Sequence, residues 1–258
     1  MSKNKFLYVA AGLIAGFLIG FAFTNSINRR ERDDLRAQLE RARAPANPAS
    51  DSLAKPSNAF DETSPRALSE DEIRSAIKIA DSRPLDLYLQ KNLGLALYSY
   101  IRRTPAANYF MPDIARLLKR EADANPKDRE AILALGNVLF DMAQNDSEPA
   151  RFTVARAYYE KALALDANDA NTRTDLGLTY YFGEPSDPQR AIIEYRRSLS
   201  INPRHEAALQ NLAAALIKTG QRREAAQRLN ELQSVDADNP ALSNLRAQLS
   251  QSGKISEE

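Results

Sequence analysis

Residues 194–216, EYRRSLSINPRHEAALQNLAAAL, carry apolar side chains three and four positions apart on both sides of Pro203. This spacing is typical of one face of an α-helix. Proline inside a helix removes a backbone hydrogen bond and clashes with the preceding turn, which costs about 3 kcal/mol. The pattern therefore predicts two helices that meet at Pro203. If the break recurs at a fixed spacing, it indicates a structural repeat.

The break recurs with fixed spacing through residues 84–238. Ten residues after each of the first four breaks stands a small residue that follows a leucine. The breaks are Pro84, Pro126, Ala167, Pro203 and Ala237, and the small residues are Gly94, Gly136, Gly177 and Ala213. A second recurring pair stands twelve and eight residues before a break: Ile114 with Leu118, Ala155 with Tyr159, Ala191 with Tyr195, and Ala225 with Leu229.

These marks resemble the tetratricopeptide repeat, which has leucine–glycine and a tyrosine on helix A, then alanine and an aromatic residue on helix B before a proline turn. The resemblance implies an all-α solenoid of antiparallel helix pairs. It covers about residues 84–238 of the chain. The family's aromatic residue in the opening turn of helix A is missing here, where the corresponding residues are Gln90, Ile132, Arg173 and Leu209.

The register also predicts where the helices touch and where they are joined. Two helices approach closely only where small side chains lie at their crossing, so Gly136 and Gly177 are predicted to lie there, while substitution of the loop residue Ser147 is expected to be nearly neutral. The small residues are 42, 41 and 36 positions apart, against a family period of about 34. The additional residues fall in the connections from helix A to helix B, which are 102–110, 144–149 and 183–188.

The chain is expected to be all-α, with an N-terminal transmembrane helix, a disordered tether and then the solenoid. Residues 44–66 hold four prolines among small polar residues, which is typical of a disordered tether. Ser69 and Glu72 are spaced as a capping box that begins the ordered part. The predicted segments are 1–28 as membrane anchor, 29–66 as charged juxtamembrane helix and tether, 67–126 as leading helix and divergent unit, 127–239 as three repeat units, and 240–258 as capping helix and tail.

The stretch FLYVAAGLIAGFLIGFAFT, residues 6–24, contains no charged residue. As a helix it would extend about 28 Å, close to the thickness of a bilayer's hydrocarbon core. A retained single-pass anchor in the inner membrane is predicted; the alternative is a signal peptide cleaved after Ala22, although signal cores are usually shorter. Lysine and arginine are more numerous after the span than before it, which favours a cytoplasmic domain by a small margin.

Composition and motifs give no indication of catalysis. The chain has no cysteine, and its formal net charge of +1 gives no reason to expect a nucleic acid partner. The single histidine, His205, stands beside a turn with nothing placed to activate it, so it is interpreted as a solvated residue. No nucleotide-binding, hydrolase or zinc-protease motif occurs. The chain is therefore predicted not to be an enzyme and to need no cofactor or metal.

The resemblance implies a concave groove, lined by the A helices, that binds peptides or helices. We therefore expect a membrane-tethered scaffold for a protein or peptide partner. The alternatives are a structural self-associating membrane protein, or a non-catalytic subunit of an envelope assembly or cytochrome c maturation complex. The residue four positions after the small one faces the groove in the family, which predicts an apolar ridge unless these side chains are core. The ridge is Tyr98, Phe140, Tyr181 and Ile217, and the polar residues beside it are Lys91, Asn137, Thr174 and Gln210.

Gly12, Gly16 and Gly20 recur every fourth residue and share one face of the predicted membrane helix. Such a face allows two anchors to pack closely and gives a possible homo-oligomer, although glycine is also common in membrane helices in general. Replacing Gly16 with isoleucine is expected to weaken association between anchors, because the branched side chain separates the two backbones. A split-reporter assay in membranes measures this association, and an unchanged signal would leave the glycines with a merely compositional explanation.

Overall fold

The computed structural model describes residues 68–254. Every regular element in this range is an α-helix or a short 3-10 helix. This confirms the all-α class for the described residues. Within this range no helix combines the length and the apolar character needed to cross a bilayer. The predicted anchor 6–24 with its glycines, the charged segment and the tether lie outside the described residues.

The chain divides into two compact units between Arg103 and Thr104. The first unit contains helices α1, Glu70–Asp81, and α2, Leu87–Ile101. The second contains all the helices that follow.

The capping box predicted at Ser69 is confirmed. The Ser69 hydroxyl accepts a hydrogen bond from the Glu72 N–H at 3.3 Å, and the Glu72 carboxylate accepts one from the Ser69 N–H at 2.8 Å. Gln90, at the position of the missing aromatic residue, is fully buried, and its amide donates to the carbonyl oxygens of Ala80 and Arg83. In this unit a hydrogen-bonded amide thus joins α2 to the end of α1 and the turn that follows it.

The second unit begins with a 3-10 helix, Pro105–Phe110, and helix α3, Met111–Ala124, and continues with three helix pairs. Each helix of a pair packs on its sequence neighbour, and the pairs pack on one another in chain order. The pairs are α4, Arg129–Asn145, with α5, Phe152–Leu165; α6, Ala170–Phe182, with α7, Pro188–Ile201; and α8, Glu206–Lys218, with α9, Arg222–Val235. Helix α10, Leu242–Lys254, packs on α8 and α9.

The predicted crossings are confirmed at Gly136 and Gly177. A Cβ atom on Gly136 would lie 3.1 Å from the ring of Tyr159, and one on Gly177 would lie 2.4 Å from the ring of Tyr195. Both tyrosine rings are buried. The backbone of helix A therefore rests directly on a tyrosine of helix B in the first two pairs.

The third pair solves the same packing problem with different side chains. Ala213 replaces the glycine, and Leu229 replaces the tyrosine, in one buried cluster. The methyl group added on helix A is matched by a smaller side chain on helix B. A larger side chain on one helix is thus matched by a smaller one on the other in all three pairs, although the residues differ.

The turns between successive helix pairs end in a common cap. The residue two positions after the break accepts a hydrogen bond from the backbone N–H three residues later, which satisfies a donor at the helix start. The capping residues are Asp86, Asp128, Asp169 and His205. His205 is therefore a helix cap, contrary to the interpretation as a solvated residue.

In three of the turns that follow a helix pair, a side chain also contacts helix A of that pair. The Asp169 carboxylate pairs with the Arg129 guanidinium, and His205 Nε2 lies 2.5 Å from the Asn171 side-chain oxygen. Asn239, in the last turn, donates from its side-chain nitrogen to the Glu206 carboxylate at 2.6 Å. Polar contacts of this kind join α4 to the turn before α6, α6 to the turn before α8, and α8 to the turn before α10.

Ser147 is not the neutral position that the sequence indicated. Its φ angle is +53°, because it occupies the left-handed position after α4, where the Glu148 N–H bonds the Ala143 carbonyl at 3.1 Å. Gly220 adopts the same conformation after α8, with φ +74°. A side chain in this conformation costs about 1–2 kcal/mol, and bulkier or branched residues at Ser147 are therefore unfavourable.

Gly177→Ala is expected to destabilise the chain by about 1–3 kcal/mol, because the added methyl overlaps the Tyr195 ring. Gly136→Ala, where the approach is less close, should cost less. Combining Gly177→Ala with Tyr195→Leu reproduces the third pair, so the double variant should be more stable than the sum of the two single changes predicts. Urea unfolding of the wild type, Gly177→Ala, Tyr195→Leu and the double variant gives the four free energies of unfolding. If the two single effects simply added in the double variant, contact between these residues at the crossing would be contradicted.

Candidate functional site

In α4, α6 and α8, positions are counted from the small residue at the crossing. The residue three before it, the residue one after it and the residue four after it lie on the same side of the helix. These positions are separated by four and three residues, which brings them onto one face. We call this surface the A-helix face. It comprises Leu133, Asn137 and Phe140 on α4, Thr174, Leu178 and Tyr181 on α6, and Gln210, Ala214 and Ile217 on α8.

The structure buries part of the predicted ridge. Phe140 is only 8% exposed, and its ring lies 5.0 Å from Phe152 and 6.3 Å from Tyr159, centroid to centroid. The reason is local: a 3-10 turn, Pro149–Arg151, starts α5 at Phe152 and brings that ring onto Phe140. Tyr98, in the first unit, is buried as well. A continuous exposed aromatic ridge is therefore absent from the described residues.

Thr174 was predicted to be a polar groove residue and is also buried. Its hydroxyl lies 2.9 Å from both the Ala170 carbonyl oxygen and the Ser198 hydroxyl. It therefore stabilises the packing of α6 on α7 and is not presented to a ligand. Lys91 lies in the first unit, where it is half-buried.

Five apolar residues of the A-helix face remain partly exposed. Leu133 and Leu178 pack on the cluster of the first pair, Tyr181 and Ile217 on the cluster of the second, and Ala214 on the cluster of the third. Leu178 packs on the clusters of the first and second pairs and Ile217 on those of the second and third, so these two residues bridge successive pairs. We call them the apolar strip.

The sequence prediction missed Leu133, Leu178 and Ala214 because it considered mainly the position four residues after the small one. The signal was present, since these residues stand three before or one after it in the same register. Because those positions lie nearer the middle of helix A, they are less affected by where helix B begins.

Two polar side chains lie beside the apolar strip. Asn137 is half-buried, and its side chain makes no hydrogen bond within the described part of the chain. The Gln210 side-chain oxygen accepts a hydrogen bond from Asn239 at 3.3 Å. These amides can donate to or accept from a peptide backbone, whereas a strip of purely apolar residues would give no orientation to a ligand.

Aromatic and basic groups gather where the apolar strip reaches the end of α6. The Lys218 ammonium lies 4.5 Å from the centre of the Tyr181 ring and 3.3 Å from the Ser186 hydroxyl. Phe182, 44% exposed, meets the Tyr181 ring edge-on at 5.1 Å. Burial raises the pKa of the Tyr181 hydroxyl, so it stays protonated at neutral pH and is a hydrogen-bond donor.

A buried ion pair supports α6 from the side of α7. Glu194 is 2% exposed and accepts from the Arg173 guanidinium at 3.2 Å and from Arg197 at 2.7 Å. Arg173 also donates to the Ala167 carbonyl oxygen at 2.9 Å. It stands where the family has an aromatic residue, so charge pairing replaces ring packing at this point and holds α6 in place beneath the strip.

Stacked helix pairs with a tyrosine-on-glycine crossing define an α-solenoid of the kind that serves as a protein-interaction scaffold. Residues 184–249 match the family model of the tetratricopeptide repeat. This match shows tetratricopeptide repeats in residues 184–249, and the repeating pattern described above extends over residues 84–238.

Several solved structures share this fold. A crystal structure of MamA is 22% identical, with a TM-score of 0.52 over 64% of this chain and 87% of that one. A MamA fragment from Desulfovibrio magneticus RS-1 is 16% identical, with a TM-score of 0.52 over 66% and 87%. YrrB, described as a TPR protein with an unusual peptide-binding site, is 15% identical, with a TM-score of 0.55 over 69% and 83%. At these identities the likeness shows the fold alone. No curated protein matches the chain in sequence.

Phe140→Ala is expected to cost about 3–5 kcal/mol, the usual penalty for removing a buried aromatic ring. Tyr181→Ala should cost clearly less, because that side chain is only partly buried. Urea unfolding followed by circular dichroism compares the two variants. Equal costs would show that Tyr181 is as much a core residue as Phe140.

Proposed function

We propose that this chain is a non-catalytic scaffold that binds a protein or peptide partner on its A-helix face and is tethered to the inner membrane by residues 6–24. The observation that carries the proposal is the apolar strip, because apolar side chains grouped at the surface often mark a binding site. The fold supports it, since solenoids of this class present extended surfaces for partners.

The apolar strip favours a ligand with spaced apolar side chains. The strip crosses three successive A helices, so a peptide in extended conformation can follow it with alternate side chains toward the strip. Asn137 and Gln210 are placed to bond the backbone of such a segment. The peptide-binding site named for YrrB is consistent with a peptide ligand here.

The membrane tether is proposed from the sequence. Residues 6–24 are long and apolar enough to span a bilayer, and the excess of lysine and arginine after them favours a cytoplasmic domain. A structural role through self-association is the second candidate, and the glycine face at Gly12, Gly16 and Gly20 is the observation that favours it.

The apolar strip is tested with peptides selected from a random displayed library on the purified full chain. Ile217→Asn should weaken binding of the selected peptides at least about tenfold, as for a central contact residue. Ile193→Asn is the matched control, because Ile193 is 41% exposed on α7 and lies off the A-helix face. Melting temperatures of both variants separate lost binding from lost folding.

Equal loss of affinity in the two variants, or none in either, would contradict binding at the apolar strip. If the library yields no binder while the chain recovers copies of itself, the structural role gains support instead.

A further inference from the structure

The His205 ring makes two hydrogen bonds. Together they require a neutral ring with its proton on one particular nitrogen. Its Nδ1 atom accepts from the backbone N–H of Ala208 at 3.1 Å, so Nδ1 carries no proton. The proton of the neutral ring therefore lies on Nε2, which donates to the Asn171 side-chain oxygen at 2.5 Å. The same ring thus caps α8 and joins it to α6 of the preceding pair.

The equivalent caps in the other units have a different chemistry. They are the carboxylates of Asp86, Asp128 and Asp169, whose oxygens accept the hydrogen bond from the helix start. Although burial opposes ionisation, hydrogen bonds from Thr172 and Arg129 hold the pKa of Asp169 below its usual range. An imidazole, in contrast, loses its acceptor when it is protonated near neutral pH.

The charged groups that face the ring are the carboxylates of Asp169, from the α6 cap, and Glu206, on α8 itself. Both favour the imidazolium, but each is already engaged, Asp169 by Arg129 and Glu206 by Asn239. Burial of the ring outweighs them and lowers the pKa of His205 below its ordinary value. The capped state therefore binds a proton less readily than the open state. The stabilisation that the cap contributes is fully present above about pH 6.5 and is lost as the pH falls below that value.

We propose that His205 makes the joint between the second and third repeats sensitive to mild acid. A proton on Nδ1 would face the Ala208 N–H, donor against donor, and would place a positive charge at the positive end of α8. The cap would open, and α8 would lose the Nδ1 bond that holds its first turn. This inference rests on the fold and not on the proposed function, but it bears on the apolar strip, since Ala214 and Ile217 lie on α8.

Hydrogen–deuterium exchange of the full chain in detergent tests the joint, with exchange times corrected for the intrinsic effect of pH. Between pH 7.5 and 5.5, opening of the first turns of α8 should increase about fivefold, the equilibrium equivalent of losing one helix cap. Peptides from the start of α4, capped by Asp128, are the internal control and should not change.

His205→Asn is the matched variant, because asparagine caps helices well and does not titrate. It should keep the protection of α8 and abolish its dependence on pH. Nitrogen chemical shifts of the imidazole give an independent result, since the proposed tautomer carries its proton on Nε2. An unchanged wild type at pH 5.5, the same loss of protection in His205→Asn, or a neutral ring protonated on Nδ1 would each overturn the proposal.

Discussion

The contact on which the second unit depends is the close approach of each A-helix backbone to one bulky side chain of its B helix. Where that side chain is tyrosine, the facing position has room for no more than a hydrogen atom, as at Gly177. Where it is leucine, alanine fits. This contact fixes the rotation of helix A about its axis. It thereby determines which residues of that helix are enclosed and which remain on the opposite side.

A different kind of interaction joins one helix pair to the next. Within a pair the contacts at the crossing are apolar, whereas the turns between pairs carry polar links between A helices. The three links have different chemistry: an ion pair at Asp169, an imidazole–amide bond at His205 and an amide–carboxylate bond at Asn239. Because nearest-neighbour contacts determine stability in repeat arrays, the three joints need not respond alike to salt or pH.

Much of the fold was predictable because its determinants are local in sequence. The breaks at Pro203 and its equivalents, the small residue at each crossing and the capping box at Ser69 each depend on a few neighbouring residues. The candidate site was less predictable. Whether Phe140 is exposed depends on where α5 begins, and that follows from an irregular connection whose 3-10 turn no periodicity reveals. The ion pair of Arg173 and the contact of His205 with α6 were missed for a similar reason, since the partners Glu194 and Asn171 are distant in sequence.

The unequal spacing of the repeats has a practical consequence for work with this protein. Because the helix contacts set the geometry of each pair, the end of helix A and the connection that follows it are free to vary in length. Helix α4 has 17 residues where α6 has 13, and the connections after them are residues 146–151 and 183–187. Residues 144–150 are exposed, and the Glu148 N–H bonded to the Ala143 carbonyl closes the end of α4 beside them. This connection is a natural place to insert an epitope or a fluorescent domain, which would report on the chain while leaving the A helices and both termini unmodified.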